Sequence, residues 1–229
     1  MTTLAVLQPG YLPWLGFFDL MRRADVFVHY DDVPFDKHGW RNRNRVKSPT
    51  GPRWLTAPVR HKGLAGQMIL DVELDLTRPW QRKHVCTLAQ LYARAPHTAD
   101  YLPQLARTLA APRTRLVDLD LALSRLLADW LDIRTPAHRA SALPIPGAMP
   151  GARSRRLVDL CRHFGARRYL TGDSARNYLD PDLFAAAGIQ VVWQTYRHPT
   201  YPQQFGAFAP YLSVVDLLFN VGPAAAEVL

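Results

Sequence analysis

Two cysteines, Cys86 and Cys161, are all that this chain of 229 residues contains, and they lie far apart. A disulfide framework or a zinc site would need more cysteines, or histidines at ligand spacing. No metal site is therefore expected, and a reducing cytoplasm is the expected compartment. No apolar stretch approaches the roughly 18–20 residues that a membrane span requires. The opening Thr2-Thr3-Leu4-Ala5-Val6-Leu7 is apolar but short, has no basic n-region and runs into Gln8-Pro9-Gly10, so no signal peptide is expected. Internal repeats and low-complexity segments are missing. So are helix-turn-helix, RRM and KH signatures, which argues against a nucleic-acid partner in spite of the charge.

What is present describes a globular chain. The apolar fraction is 48% and the charged fraction 21%, ordinary for a folded domain. The length suits one substantial core. The formal net charge of +9 reads either as an arginine-rich composition that keeps the chain soluble or as the mark of an anionic partner such as a nucleotide or a phosphopantetheine. The charges are scattered except for one cluster from Lys37 to Lys47.

Leu4 to Leu7 reads as a buried strand ended by Pro9-Gly10, Trp14 to Met21 as a helix with Arg22 and Arg23 near its C-terminal end, and Val26 to Tyr30 as a second strand. This is a βαβ unit, usually built with parallel strands. Asp31 to Gly51 reads as a long loop or hairpin, Trp54 to Val59 as a strand and Met68 to Leu74 as a short strand. Helices are expected over 79–94, 101–109 and 116–131, where leucines recur at three- and four-residue steps. After Pro144 to Gly151 the pattern returns to α/β. A helix is expected over 154–164 with Ser154 as N-cap, a strand over 168–171, a short helix over 182–187, a strand over 189–193 and a helix over 213–219. The expectation is a single α/β domain over 1–229, with a helical insertion over about 79–135 and a flexible linker over about 144–153. Its mostly parallel sheet would be shared by the two ends of the chain.

Several segments carry candidate chemistry. Gln8, Tyr11 and Trp14 lie where the first strand gives way to a helix, which is where open α/β sheets bind ligands; a hydrophobic staple around a tight turn is the plainer alternative. Asp31 and Asp32 end the second strand, as a general base and an amine anchor or as a solvated strand end. Lys37, Asn42, Arg43, Asn44 and Lys47 belong to a basic, amide-rich segment able to clamp phosphate or carboxylate, or to form an exposed charged hairpin. If that segment is extended, Asn42 and Asn44 face one way and Arg41, Arg43 and Arg45 the other. His84 shares a helix face with Trp80, four residues before it, as a base or as a structural histidine. Cys86 faces elsewhere, so a Cys-His nucleophile pair is rejected. Ser174 and Tyr178 follow a strand and could reach a ligand, or form an ordinary strand–helix turn.

Longer stretches resemble the WbqC-like protein family. Leu7 to Phe18, Asp31-Asp32-Val33-Pro34-Phe35, Trp40 to Lys47 and Trp54 to Val59 carry the resemblance. Trp80 with Lys83-His84, Tyr92 with Ala95-Pro96, Ser174 with Tyr178-Leu179, and Ser213 to Asn220 extend it over nearly the whole chain. One departure is Leu7, where the family usually has His before Gln-Pro. The resemblance implies a cytoplasmic protein of a surface-glycan or natural-product pathway, forming an amide by moving an acyl or aminoacyl group onto an amine. A looser likeness, in the strand–turn–helix–strand opening, is to the Rossmann-like (HUP) nucleotidylyltransferase and pantothenate synthetase architecture, without its His-x-Gly-His.

The expected function is thus an acyl- or aminoacyltransferase using a carrier-protein thioester or another activated donor and a small amine acceptor. Asp31, Asp32 or His84 would take the amine proton, and Asn42, Arg43 or Asn44 would hold the oxyanion. No cofactor is required by this reading. A phosphopantetheine-bound substrate would suit the positive surface, and ATP would be used only in the alternative, a ligase or nucleotidylyltransferase. A non-catalytic binding or scaffold protein is the alternative of a different class.

Overall fold

The computed structural model describes residues 1–61, 63–64, 66–147 and 153–229. Its chain divides into two compact units. The first gathers Met1–Gln8, Gly16–Val33 and Arg134–Arg197; the second gathers Pro9–Leu15, Pro34–Ile133 and His198–Leu229.

The first unit is α/β. Its sheet holds β1 (Thr3–Leu7), β2 (Val26–His29), β5 (Ala137–Arg139), β6 (Arg168–Thr171) and β7 (Gln190–Trp193) in the order β5-β2-β1-β6-β7. Every pairing is parallel, with Val6 opposite Val28, Leu4 opposite Tyr169 and Thr171 opposite Trp193. The strands alternate side chains between two buried faces, which is why β1 reads as an unbroken apolar run. Leu4, Val6, Val28 and Tyr169 pack with Leu157, Val158 and Cys161 of α5 (Arg153–His163) and with Phe184 of α6 (Pro181–Ala186). On the opposite parity of β2, Phe27 meets Phe17 of α1 (Leu15–Arg23) with ring centroids 5.2 Å apart.

The second unit combines a hairpin with helices. β3 (Arg43–Ser48) and β4 (Gly51–Thr56) pair antiparallel around a two-residue turn, with Gly51 at φ +107°. Glycine suits that conformation because residues with a side chain rarely adopt so positive a φ. Helices α2 (Trp80–Leu91), α3 (Thr98–Ala110), α4 (Leu116–Trp130), α7 (Val214–Val221) and the short α8 (Ala225–Val228) complete it. Their buried positions follow the helical repeat, as with Leu116, Leu119, Leu123 and Leu127 on α4.

Two expectations differ from what is found, and one strand has no counterpart among them. Met68 to Leu74 is a 3₁₀ turn, Ile69–Asp71, flanked by isolated bridges rather than a strand; Ile69 and Val72, three residues apart, are both fully buried, the period of a 3₁₀ turn and not of a strand. Ser154 lies inside α5, and its hydroxyl accepts the Asp180 backbone N–H at 2.9 Å. The edge strand β5 is too short and too polar to show in the sequence; its pairing with β2 alone creates it. Of the expected linker, residues 148–152 lie outside the described residues.

Candidate functional site

In the second unit the turn from Pro9 to Pro13 is tied down at three points. The Tyr11 N–H donates to the Arg41 carbonyl at 2.9 Å, the Asn44 amide donates to the Leu12 carbonyl at 2.8 Å, and the Val214 N–H donates to the Pro13 carbonyl at 2.9 Å. Leu12 sits at φ +45°, a conformation unusual for a residue with a side chain. A Cβ on Gly10 would lie 3.0 Å from the Trp40 carbonyl oxygen, so the turn needs glycine for this close approach.

This anchored turn drives Tyr11 into the interior, where it is fully buried. Its hydroxyl lies 2.8 Å from His84 Nδ1, a pairing of residues 73 apart in sequence. Trp80, one turn before His84 on α2, closes the group: its ring centroid is 6.3 Å from that of Tyr11 and 5.3 Å from that of His84. Burial lowers the His84 pKa to about 4, and the Lys83 charge pushes the same way. The imidazole is therefore neutral at physiological pH. Burial raises the Tyr11 phenol well above its ordinary value, helped by the negative charge of Asp120.

Asp120 is the member that the sequence did not reveal. It sits on the apolar face of α4, four residues after Leu116 and three before Leu123, and is fully buried. Among the described residues neither carboxylate oxygen has a hydrogen-bond partner, and Ser124 Oγ, one turn further along the helix, has none either. Burial raises the Asp120 pKa well above the carboxylate range, against the opposing pull of the Arg41 charge. Arg41 Nη1 and Trp80 Nε1 are also buried without partners. The available signal was a lone acid at an apolar position of a helical repeat.

The basic segment divides as its alternation implies. Asn42 and Asn44 are buried while Arg43 and Arg45 stay partly exposed. Asn42 exchanges hydrogen bonds with Ala57, its amide donating to the Ala57 carbonyl at 2.9 Å. Arg43 stacks 4.5 Å over the Trp54 ring and donates to the Gly39 carbonyl at 3.2 Å. Lys47 is buried, with Nζ donating to Gln203 Oε1 at 3.0 Å and to the Ala207 carbonyl. Lys37 is exposed, and Trp14 meets the Tyr211 ring at 5.7 Å.

The first unit holds Gln8, Asp31, Asp32, Ser174 and Tyr178. Asp31 is fully buried and accepts from Arg139 Nε at 2.8 Å, the Ser141 N–H at 2.9 Å and Ser141 Oγ at 2.7 Å. Asp32 accepts from Arg156 Nη2 at 2.7 Å. Burial, then the Asp32 charge, pushes the neighbouring Tyr30 phenol up to about 12. Gln8 is half-buried at the end of β1, Ser174 is exposed, and Tyr178 is exposed beneath the Arg153 guanidinium 6.0 Å from its ring. Among the described residues, no group of three or more His, Cys, Asp or Glu side chains is placed to hold a metal ion. Nor is any helix among them long and apolar enough to cross a membrane.

A profile described as the WbqC-like protein family matches residues 8–228. The chain is also similar to the uncharacterized protein Rv1507c of Mycobacterium tuberculosis (strain ATCC 25618 / H37Rv), with 36% identity over 231 residues, covering 100% of this chain and 98% of the relative. No solved structure matches.

Proposed function

We propose that this chain, which belongs to the WbqC-like protein family, is an acyl- or aminoacyltransferase that forms an amide bond in a cytoplasmic natural-product or surface-glycan pathway. The observation that carries the reading is the Tyr11–His84 pair, held at 2.8 Å beside the unpartnered carboxyl of Asp120. A neutral imidazole oriented by a buried phenol is a proton acceptor ready for use, and a buried acid beside it suits an amine.

In the proposed step the amine nitrogen attacks the carbonyl carbon of a thioester donor. The bond from that carbon to sulfur breaks, and the amine proton passes to His84 and on to the departing thiolate. His84 is preferred over Asp31 and Asp32 as the base. Asp31 already accepts three hydrogen bonds and Asp32 is paired with Arg156, so both carboxylates are engaged by protein groups. A carrier-protein donor would bring acidic charge to a chain of net charge +9. We further read the first unit as Rossmann-like, of the HUP or nucleotidylyltransferase kind. Its support is the strand order, in which the chain steps from central β1 to one side and later returns to the other.

The test is a mass-spectrometric assay of the purified protein with acyl- or aminoacyl-loaded carrier protein and a panel of amines, with and without ATP and magnesium. Amide formed without ATP, and lost in His84→Gln, supports the transferase. Amide formed only with ATP replaces it with a ligase. No amide under either condition rejects the transferase and favours a scaffold.

A further inference from the structure

Four polar groups of the second unit are buried with atoms that no group among the described residues answers: both oxygens of Asp120, Ser124 Oγ, Arg41 Nη1 and Trp80 Nε1. Asp120, Arg41 and Trp80 neighbour Tyr11. Asp120 acts electrostatically on Tyr11 and on Arg41, the Arg41 carbonyl accepts the Tyr11 N–H, and Trp80 packs edge-on against the Tyr11 ring. Ser124 follows Asp120 by one helical turn on the same face.

Native proteins satisfy nearly all buried polar groups, because an unanswered one costs its full desolvation. A charge costs more, and Asp120 and Arg41 do not form an ion pair that would offset it. The unanswered atoms also sort by chemistry. Asp120 and Ser124 offer acceptors, and Asp120 takes a negative charge when a cation faces it, whereas Arg41 and Trp80 offer only donors.

We propose that this cluster recognises the head group of an α-amino acid or aminoacyl group, its ammonium on Asp120 and Ser124 and its carboxylate or carbonyl on Arg41 and Trp80. A simple anion would answer the donors and leave Asp120 and Ser124 unanswered. A simple amine would answer Asp120 and leave Arg41 and Trp80 unpaired. A ligand carrying both functions answers the donors and the acceptors together. The proposal deepens the amide-forming reading and rests on it for the fate of the amino group, but binding itself can be measured without turnover.

The experiment is thermal denaturation and titration calorimetry of the full chain with glycine, L-alanine and glycinamide, and with ethylamine and acetate as single-function controls. Glycine or alanine is expected to raise the melting temperature saturably, with each control binding at least about tenfold more weakly. Glycinamide binding as well as glycine identifies an aminoacyl group as the ligand; glycine alone identifies the free amino acid. Asp120→Asn keeps the shape and removes the unpaired carboxyl. It should leave the unliganded melting temperature unchanged or higher while weakening glycine at least about tenfold. Should that variant fail to fold, Arg41→Gln must weaken glycine more than it weakens ethylamine. No saturable response to any of the three amino acid probes overturns the proposal, as does a variant that loses stability but keeps its affinity. Binding without amide formation sinks the transferase and leaves the recognition site standing.

Discussion

The Tyr92 hydroxyl donates a 2.6 Å hydrogen bond to Asp216, a residue 124 positions further along the chain. Asp216 is fully buried and also accepts from Tyr201 at 2.9 Å and Gln203 at 2.7 Å. The Tyr92 oxygen in turn accepts the Lys47 N–H at 3.0 Å, so one carboxylate ties the hairpin, α7 and the 201–209 segment together. Asp216→Ala strands three donors and should cost about 3–5 kcal/mol. Tyr92→Phe, which removes one donor to a charged acceptor, should cost about 1.5–3 kcal/mol. Urea unfolding of both variants measures the difference.

Asp31 presents the same situation in the first unit, as the joint acceptor for Arg139 and Ser141. Asp31→Ala should destabilise by about 1–3 kcal/mol, because it leaves the Ser141 N–H unanswered and removes the bond from a partly exposed arginine. Any loss of activity in this variant should track its loss of folded protein. Circular dichroism alongside the turnover assay separates the two, and a folded but inactive variant would return Asp31 to candidacy as a base.

His84→Gln should lower the transfer rate by about 10²–10⁴-fold, the usual contribution of a positioned acid–base group. Tyr11→Phe keeps the ring packing and removes only the hydroxyl, so a smaller loss of rate is expected. Its stability cost should be about 1 kcal/mol, the net value of one buried hydrogen bond. Single-turnover kinetics at fixed pH provides the comparison.

Acid should weaken the fold through two histidines. His29 and His84 both have folded-state pKa values of about 4, mainly because burial disfavours the imidazolium, against an ordinary 6.5. The unfolded chain therefore takes up these protons first. Their contribution is full above pH 6.5 and is lost as pH falls from there towards 4, by about 1.4 kcal/mol per pH unit for each histidine. Asp120 and Asp216 act in the opposite sense: their folded pKa values are raised, so protonation relieves the folded state before it reaches the unfolded one. Because the two pairs oppose each other, the test is a difference: relative to the parent chain, His29→Leu should gain about 1.4 kcal/mol per pH unit as pH falls from 6.5 towards 4, read from the urea midpoints.

Much of this architecture was legible because it is local. The run Leu4 to Leu7 and the β-branched and aromatic stretch Val26 to His29 announce their strands, and the single helix between them announces parallel pairing. Asn42, Arg43, Asn44 and Arg45 reveal by alternation alone that the two sides of β3 differ, and the structure buries the asparagine side. The candidate site was legible in its members and not in its assembly. Tyr11 and His84 each stand out, but their 2.8 Å contact is made by tertiary packing that no spacing encodes. Asp120 is hidden because it occupies a leucine's place in a helical repeat, and a pattern reader passes over the one residue that breaks it.

The central position of β1 sets an order of events during synthesis. Its neighbour β2 emerges soon after it, but β6 begins only at Arg168, after the hairpin and helices α2 to α4 have left the ribosome. Until then one side of β1 carries unpaired amides and carbonyls, the kind of open edge on which nascent chains aggregate or recruit chaperones. The polypeptide can nevertheless form the hairpin and helices of the second unit during that interval, since most of that unit runs continuously from Pro34 to Ile133. Maturation of the sheet is thus a late event, and a translational pause before residue 168 would lengthen the life of its most vulnerable intermediate.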